Sequence, residues 1–363
     1  MRTRPTTAST PMLARAEGAQ RTGVGKPELH FTTRLHLLAL LFALQLVCVA
    51  SPAAYANVAS AESTPRRLPH VVIVLVDDMG YGDPKCFNPD SKISTPNIDG
   101  LASRGMKFTD AHAPGPLCHL SRYGLITGRY PFRTDITRWR TEPLVSDGQE
   151  TIATVAKQAG YRTAMVGKWH LGFDEQGYDQ PLHGGPVDCG FDSFFGMRAS
   201  TDIPPYFYIR DRNAVELPSS TIEPSHSEGY SPVQGAFWRG GGIAPGLKLQ
   251  DVLPKFTEEA IGVIEGHSSS ADGDSPLLLY LAYPSPHTPW LPSEQFAGKS
   301  DAGLYGDFVM MVDHEIGRVL QSLQDAGMSR DTLVVFSSDN GPVWLEDERE
   351  RFRHDSAGGL RGM

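Results

Sequence analysis

Two pairs of hard oxygen donors stand just beyond apolar runs: Asp77-Asp78 after Val71-Val-Ile-Val-Leu-Val76, and Asp339-Asn340 after Leu333-Val-Val-Phe336. A single aspartate after a strand is ordinarily a turn or capping residue. Two such pairs, with three carboxylates that would repel one another unaided, point instead to a bound divalent cation of the calcium or magnesium type. Calcium fits the donor set better, because it accepts more ligands and less regular geometry than magnesium. A second feature lies in Pro116-Leu-Cys-His-Leu-Ser-Arg-Tyr-Gly-Leu-Ile-Thr-Gly128, where Cys118 and Arg122 are four residues apart. If a helix begins at the cysteine, both lie on one face, at the end that attracts anions. Cys118 could then be an activated nucleophile and Arg122 could neutralise a sulfate or phosphate oxygen. A buried cysteine is also a common small apolar core residue, and the pair alone leaves that reading open.

The elements that must position these groups follow a repeating order. His70 to Val76 is an apolar, mostly β-branched run without alternation, as in a strand covered on both faces within a parallel sheet. A helix expected over 151–158, closed by Gly160, leads to a strand over 162–166 and the loop Gly167-Lys-Trp-His-Leu-Gly172. A helix over 251–265 leads to a strand over 277–282 and the loop Pro284-Ser-Pro-His-Thr-Pro289, and a helix over 305–326 leads to a strand over 332–336 and Ser337-Ser-Asp-Asn-Gly341. Open α/β sheets bind ligands beyond the carboxyl ends of their strands, so the four loops are expected to meet in one cleft. Lys168 and His170 share one of them; in an extended loop both point the same way, with Trp169 packed behind. Residues 200–246, rich in Gly, Pro and Ser and carrying Tyr206, Phe207, Tyr208 and Trp238, read as a long excursion that shapes a pocket.

Composition narrows the function classes. The 363 residues, 40% hydrophobic and 21% charged, describe an ordinary globular protein. With 42 acidic against 33 basic residues, a formal charge of -9 and no basic run, nucleic acid is not an expected partner. Four scattered cysteines provide neither a disulfide framework nor a paired zinc motif. Cys86 and Cys189 read as core residues, with a disulfide as the alternative that export permits. Arg34, the apolar run Leu37 to Ala50 and the small-residue stretch Ser51 to Ala56 read as an export leader over 1–56, too short to span a bilayer. Residues 57–69 read as a linker, 70–363 as the catalytic domain, and the mature protein as periplasmic or extracellular with no stable membrane span.

Taken together, the segments resemble the sulfatase family of the alkaline phosphatase superfamily, over roughly His70 to Met363. Val74-Leu-Val-Asp-Asp-Met-Gly-Tyr-Gly-Asp83 resembles its opening metal motif, and Ser94-Thr-Pro-Asn-Ile-Asp-Gly-Leu-Ala-Ser-Arg-Gly105 the helix that follows. Cys118 to Gly128 resembles the signature whose cysteine is oxidised to formylglycine. Gly167 to Gly172, Pro286-His-Thr-Pro289 and Ser338-Asp-Asn-Gly-Pro342 resemble further active-site segments in the same order.

The resemblance implies an alkaline-phosphatase-like three-layer α/β sandwich with a mostly parallel central sheet, and a sulfuric ester hydrolase acting on a sulfated small molecule or polysaccharide. It implies Asp77, Asp78, Asp339, Asn340 and the modified Cys118 as ligands of Ca2+, with Mg2+ the second option. Arg122 then stabilises the hydrated aldehyde, Lys168 and His287 contact sulfate oxygens, and His170 orients or deprotonates the nucleophile. A formylglycine-generating enzyme is the implied partner. The chain departs from the pattern at Leu120, where the signature has proline or alanine. It also ends at Gly358-Gly-Leu-Arg-Gly-Met363, before the lysine to which that segment leads, so the small C-terminal antiparallel-sheet domain is expected to be largely or wholly missing. A phosphodiesterase or phosphonate monoester hydrolase of the same superfamily and a non-catalytic sulfate-ester-binding paralogue are the competing readings.

Overall fold

A computed structural model describes residues 67–270, 273 and 275–360. The leader expected over 1–56 and most of the linker therefore lie outside the described residues. Unbroken apolar runs become the central strands of a seven-stranded sheet. Its elements in chain order are β1 (His70–Asp77), α1 (Pro96–Arg104), α2 (Cys118–Thr127), α3 (Ile152–Gln158), β2 (Arg162–Lys168), β3 (Ser193–Met197), β4 (Ile209–Arg210) and β5 (Asn213–Ala214). After a small hairpin, β6 (Ser220–Ile222) and β7 (Gly241–Ile243), come α4 (Val252–Ser269), β8 (Leu277–Pro286), α5 (Gly303–Asp325), β9 (Thr332–Ser338) and α6 (Glu346–Phe352).

The strand order is β5-β4-β3-β2-β8-β1-β9; β3, β2, β8, β1 and β9 run parallel and β4-β5 is an antiparallel edge hairpin. Helices cover the sheet to give the three-layer α/β sandwich, and all ten residues of β8 are buried. β9 is the edge strand, and its alternating pattern leaves Leu333 and Val335 exposed. Among the described residues no helix is long and apolar enough to cross a membrane.

Register places the strand ends together. Val76 pairs with Ser338, and the ladder continues through Asp339 N–H to the Val76 carbonyl at 3.0 Å. Gly167 pairs with Ala282 one residue before Lys168. At Gly167 the backbone has φ 115°, and a Cβ would lie 1.9 Å from the Ala282 carbonyl oxygen, so only glycine permits this approach of β2 to β8. Three strands extend two or more residues further than their sequence suggests: β2 reaches Lys168, β9 reaches Ser338, and β8 reaches Pro286, opposite Asp77 beyond a register shift between β1 and β8. Cys86 and Cys189 are free thiols, so the disulfide alternative does not apply; Cys189 is a core residue.

Candidate active site

Asp77 ends β1, and Asp78 turns the chain out of the sheet with φ 61°, a left-handed conformation uncommon for a residue with a side chain. A buried network holds this bend. Tyr305 donates to Asp83 Oδ2 at 2.5 Å and lies 3.1 Å from the Asp78 carbonyl oxygen, while His354 meets Asp83 Oδ1 at 2.9 Å. Gly80 N–H also donates to Asp83, at 2.6 Å. The segment around Ser356 closes over the same turn, accepting from Gly82 N–H at 2.8 Å.

From β9, Asp339 Oδ1 accepts from Asp78 N–H at 3.3 Å, and Asn340 Nδ2 donates to Asp78 Oδ1 at 2.5 Å. Cys118 is the first residue of α2, with its thiol 3.4 Å from Asp77 Oδ1. Arg122, one turn later and fully buried, donates through Nε to Asp339 at 3.0 Å, through Nη1 to the Lys168 carbonyl at 3.1 Å and through Nη2 to Asp77 at 2.8 Å. Lys168 Nζ, also fully buried, rests on the same Asp77 oxygen. His287, just past β8, brings Nε2 to 3.6 Å from Asp78 Oδ2. Its Nδ1–H donates to the Thr288 carbonyl at 2.8 Å, which fixes the ring.

The electrostatics follow from three carboxylates and two fixed cations in a dry place. Burial raises the pKa of Asp77, but Lys168 and Arg122 outweigh it and hold the carboxylate below its usual range. Asp339 is pushed up to about 7 by burial and by the neighbouring Asp77 charge. Burial and then Asp77 also carry the Cys118 thiol well above its ordinary value, so unmodified it stays protonated. Burial would lower His287, yet Asp78, Asp202 and Asp77 raise it.

His170 is where the expected loop geometry fails. The 168–170 segment is not extended: Lys168 completes β2, and His170 has φ 60°. Its ring stands edge-on to Trp139 at 4.4 Å and lies 5.6 Å from His119, and neither ring nitrogen has a hydrogen-bond partner. Burial, reinforced by Lys168 and Arg122, holds it neutral. Trp169 is buried as expected, with Nε1–H donating to Gly172.

Asp77, Asp78, Cys118 and His287 each present a ligand atom within 4.8 Å of the others. The residues fit a hard cation. Asn340 Oδ1 is buried without a partner, and the two fixed cations leave the three neighbouring carboxylates one positive charge short. Among the described residues this is the one such cluster. Adding calcium to chelated protein is expected to raise the melting temperature on the order of 5 °C at a hundredfold excess over Kd. The absence of any shift with either calcium or magnesium would count against a metal site.

Sequence reasoning missed the Asp83–Tyr305–His354 network and a pair on the far side of His287. Asp202 Oδ1 lies 3.9 Å from His287 Nδ1, and Arg239 is ion-paired to Asp202. Both line a cavity of about 140 Å³ together with Asp78, His287, Trp290 and Tyr305. Only the placement of both residues in the polar excursion hinted at a pocket role.

The family model for sulfatases matches residues 69–361. An N-acetylgalactosamine-6-O-sulfatase of Bacteroides thetaiotaomicron is 32% identical over 308 residues, covering 76% of this chain and 59% of that protein. Human arylsulfatase A is 33% identical, covering 78% of this chain and 54% of that protein; for human steryl-sulfatase the values are 31%, 83% and 59%. The chain thus spans little more than half the length of these relatives. Among solved structures, a sulfatase from work on glycosaminoglycan metabolism by Bacteroides thetaiotaomicron matches with TM-score 0.71 and 30% identity, over 82% of this chain and 68% of that one. Ps i-CgsB, solved with k-i-k-neocarrahexaose, matches with TM-score 0.54 and 26% identity, over 76% of this chain and 59% of that one.

Proposed function

Because this chain belongs to the sulfatase family, we propose that it hydrolyses sulfate monoesters with a formylglycine made from Cys118 and one divalent cation, calcium before magnesium. The observation that carries this is the meeting of Cys118, at the anion-attracting start of α2, with the carboxylates of two strand ends. Asp77, Asp78, Asp339 and Asn340, with the modified Cys118, are the residues that would hold the cation. When present, formylglycine supplies a hydrated-aldehyde oxygen as nucleophile toward sulfur, and the cation supplies positive charge for the sulfate oxygens.

The chain's own residues do the rest. Arg122 fixes Asp77 and Asp339 in one orientation and keeps a positive charge beside Cys118. Lys168 adds an ammonium group to the same side, where it neutralises sulfate charge. His170, neutral and with both ring nitrogens free of protein partners, can accept the nucleophile's proton. His287, fixed by Thr288, contacts sulfate and delivers a proton to the leaving ester oxygen. We assign residues 1–56 as an export leader, 70–363 as catalytic, and the working compartment as the periplasm or exterior, where sulfated saccharides are met. A formylglycine-generating enzyme is the required partner.

Leu120, at the position of departure from the signature, is buried and packs on Gly115, where a Cβ would lie 2.5 Å from its own. The folded chain therefore accommodates the leucine. Mass spectrometry of the Cys118 peptide after co-expression with a formylglycine-generating enzyme is expected to show a loss of about 18 Da, with sulfate released from an aryl sulfate. Unmodified cysteine throughout, with no sulfate release, would overturn the proposal.

A further inference from the structure

Resting on the sulfate-ester reading, we propose that Asp202, braced by Arg239, is a specificity-determining acceptor for a substrate hydroxyl, and that the ester bound here is a saccharide sulfate rather than an aryl or steroid one. Asp202 is only 4% exposed, and its Oδ1 has no hydrogen-bond partner. Its other carboxylate oxygen takes Arg239 Nη1, which also donates to the Asp202 carbonyl at 3.2 Å. His287 does not satisfy the free oxygen, since its Nδ1–H is committed to Thr288. The free oxygen therefore belongs to a fixed carboxylate on the wall of the cavity, across the imidazole from Asp78.

That oxygen is shut off from bulk solvent and unpaired, so only a donor presented from within the cavity would satisfy it. A hydrocarbon ring would leave the oxygen unpaired, which costs about 1–3 kcal/mol or more for a charged group. A hydroxyl near the ester oxygen donates to it and removes that cost. Sites built to pair with a hydroxyl reject analogues lacking it far more strongly than apolar pockets sort by size. A second feature agrees: Arg239 also borders a larger cleft lined by Tyr230, Phe237 and Trp238. Flat aromatic faces with one charged neighbour suit the apolar face of a further sugar ring and its polar rim.

The test is the isosteric Asp202→Asn. Arg239 needs an oxygen toward it, so the amide nitrogen turns to the cavity and an acceptor becomes a donor. Calorimetric binding is measured on cation-loaded protein with Cys118 unconverted, so nothing turns over. The probes are a panel of hexose monosulfates and phenyl sulfate. The wild type is expected to prefer at least one hexose sulfate about tenfold or more, and D202N to reduce that preference by about 10- to 100-fold. D202A is the second variant, expected to reduce it in the same direction. If no hexose sulfate outbinds phenyl sulfate, or if the preference survives both variants, the subsite is overturned while the sulfate reading stands. If neither class of probe binds, the sulfate reading fails and the subsite falls with it.

Discussion

Replacing Cys118 with alanine in protein that has met the converting enzyme lowers sulfate release from an aryl sulfate by about 10⁴-fold or more, the scale seen when a covalent nucleophile is removed. Alanine suits a helix start and leaves the Asp77 carboxylate with Lys168 and Arg122 as partners, so stability changes by no more than about 1 kcal/mol. Steady-state turnover and a thermal melt on the same sample separate the two effects. Retention of more than about one part in a hundred of the activity would move the nucleophile away from Cys118.

Arg122→Met in chelated protein lowers stability by about 3–5 kcal/mol, because it takes the guanidinium from two buried carboxyls, leaving Asp77 with Lys168 alone and driving Asp339 to take up a proton. The expected fall in melting temperature is on the order of 10 °C. Adding calcium then recovers part of the loss, since a cation beside the same carboxylates replaces the missing charge. Arg122→Lys recovers less than its charge suggests, because a single ammonium cannot reach Asp77, Asp339 and the Lys168 carbonyl together. A loss of less than about 1 kcal/mol in Arg122→Met would show that the carboxylates are held by other means.

The strands that carry the site were legible because continuous apolar runs such as His70 to Val76 have few readings other than a buried parallel strand. Their far ends were less so. Pro284 and Pro286 argue for loop, yet β8 continues through them, because the ladder is irregular there: the step from Leu75 to Asp77 on β1 spans Ala282 to Pro286 on β8, and such a break tolerates residues that cannot donate. His170 was expected in an extended segment, whereas it takes a left-handed conformation with its ring against Trp139 and His119. Asp83, Tyr305 and His354 lie too far apart in the chain for any local period to join them, and their partnership exists only after folding. Asp202 and Arg239 were hidden for another reason: the path of residues 200–246 follows short bridges and turns rather than a hydrophobic rhythm.

The position of β1, first of the strands to be made yet seated between β8 and β9, imposes a timetable on the living cell. Both flanking strands emerge from the ribosome long after it, and Asp339, which pairs with Arg122, follows directly behind β9. From Cys118 to the end of β9 the ribosome adds about 220 residues, roughly 10–45 s at about 5–20 residues per second. Throughout that interval the cysteine has no completed pocket around it. The proposed conversion therefore has a natural window during translation and export, one that closes as β9 docks, so a slower ribosome would lengthen the opportunity and a faster one would shorten it.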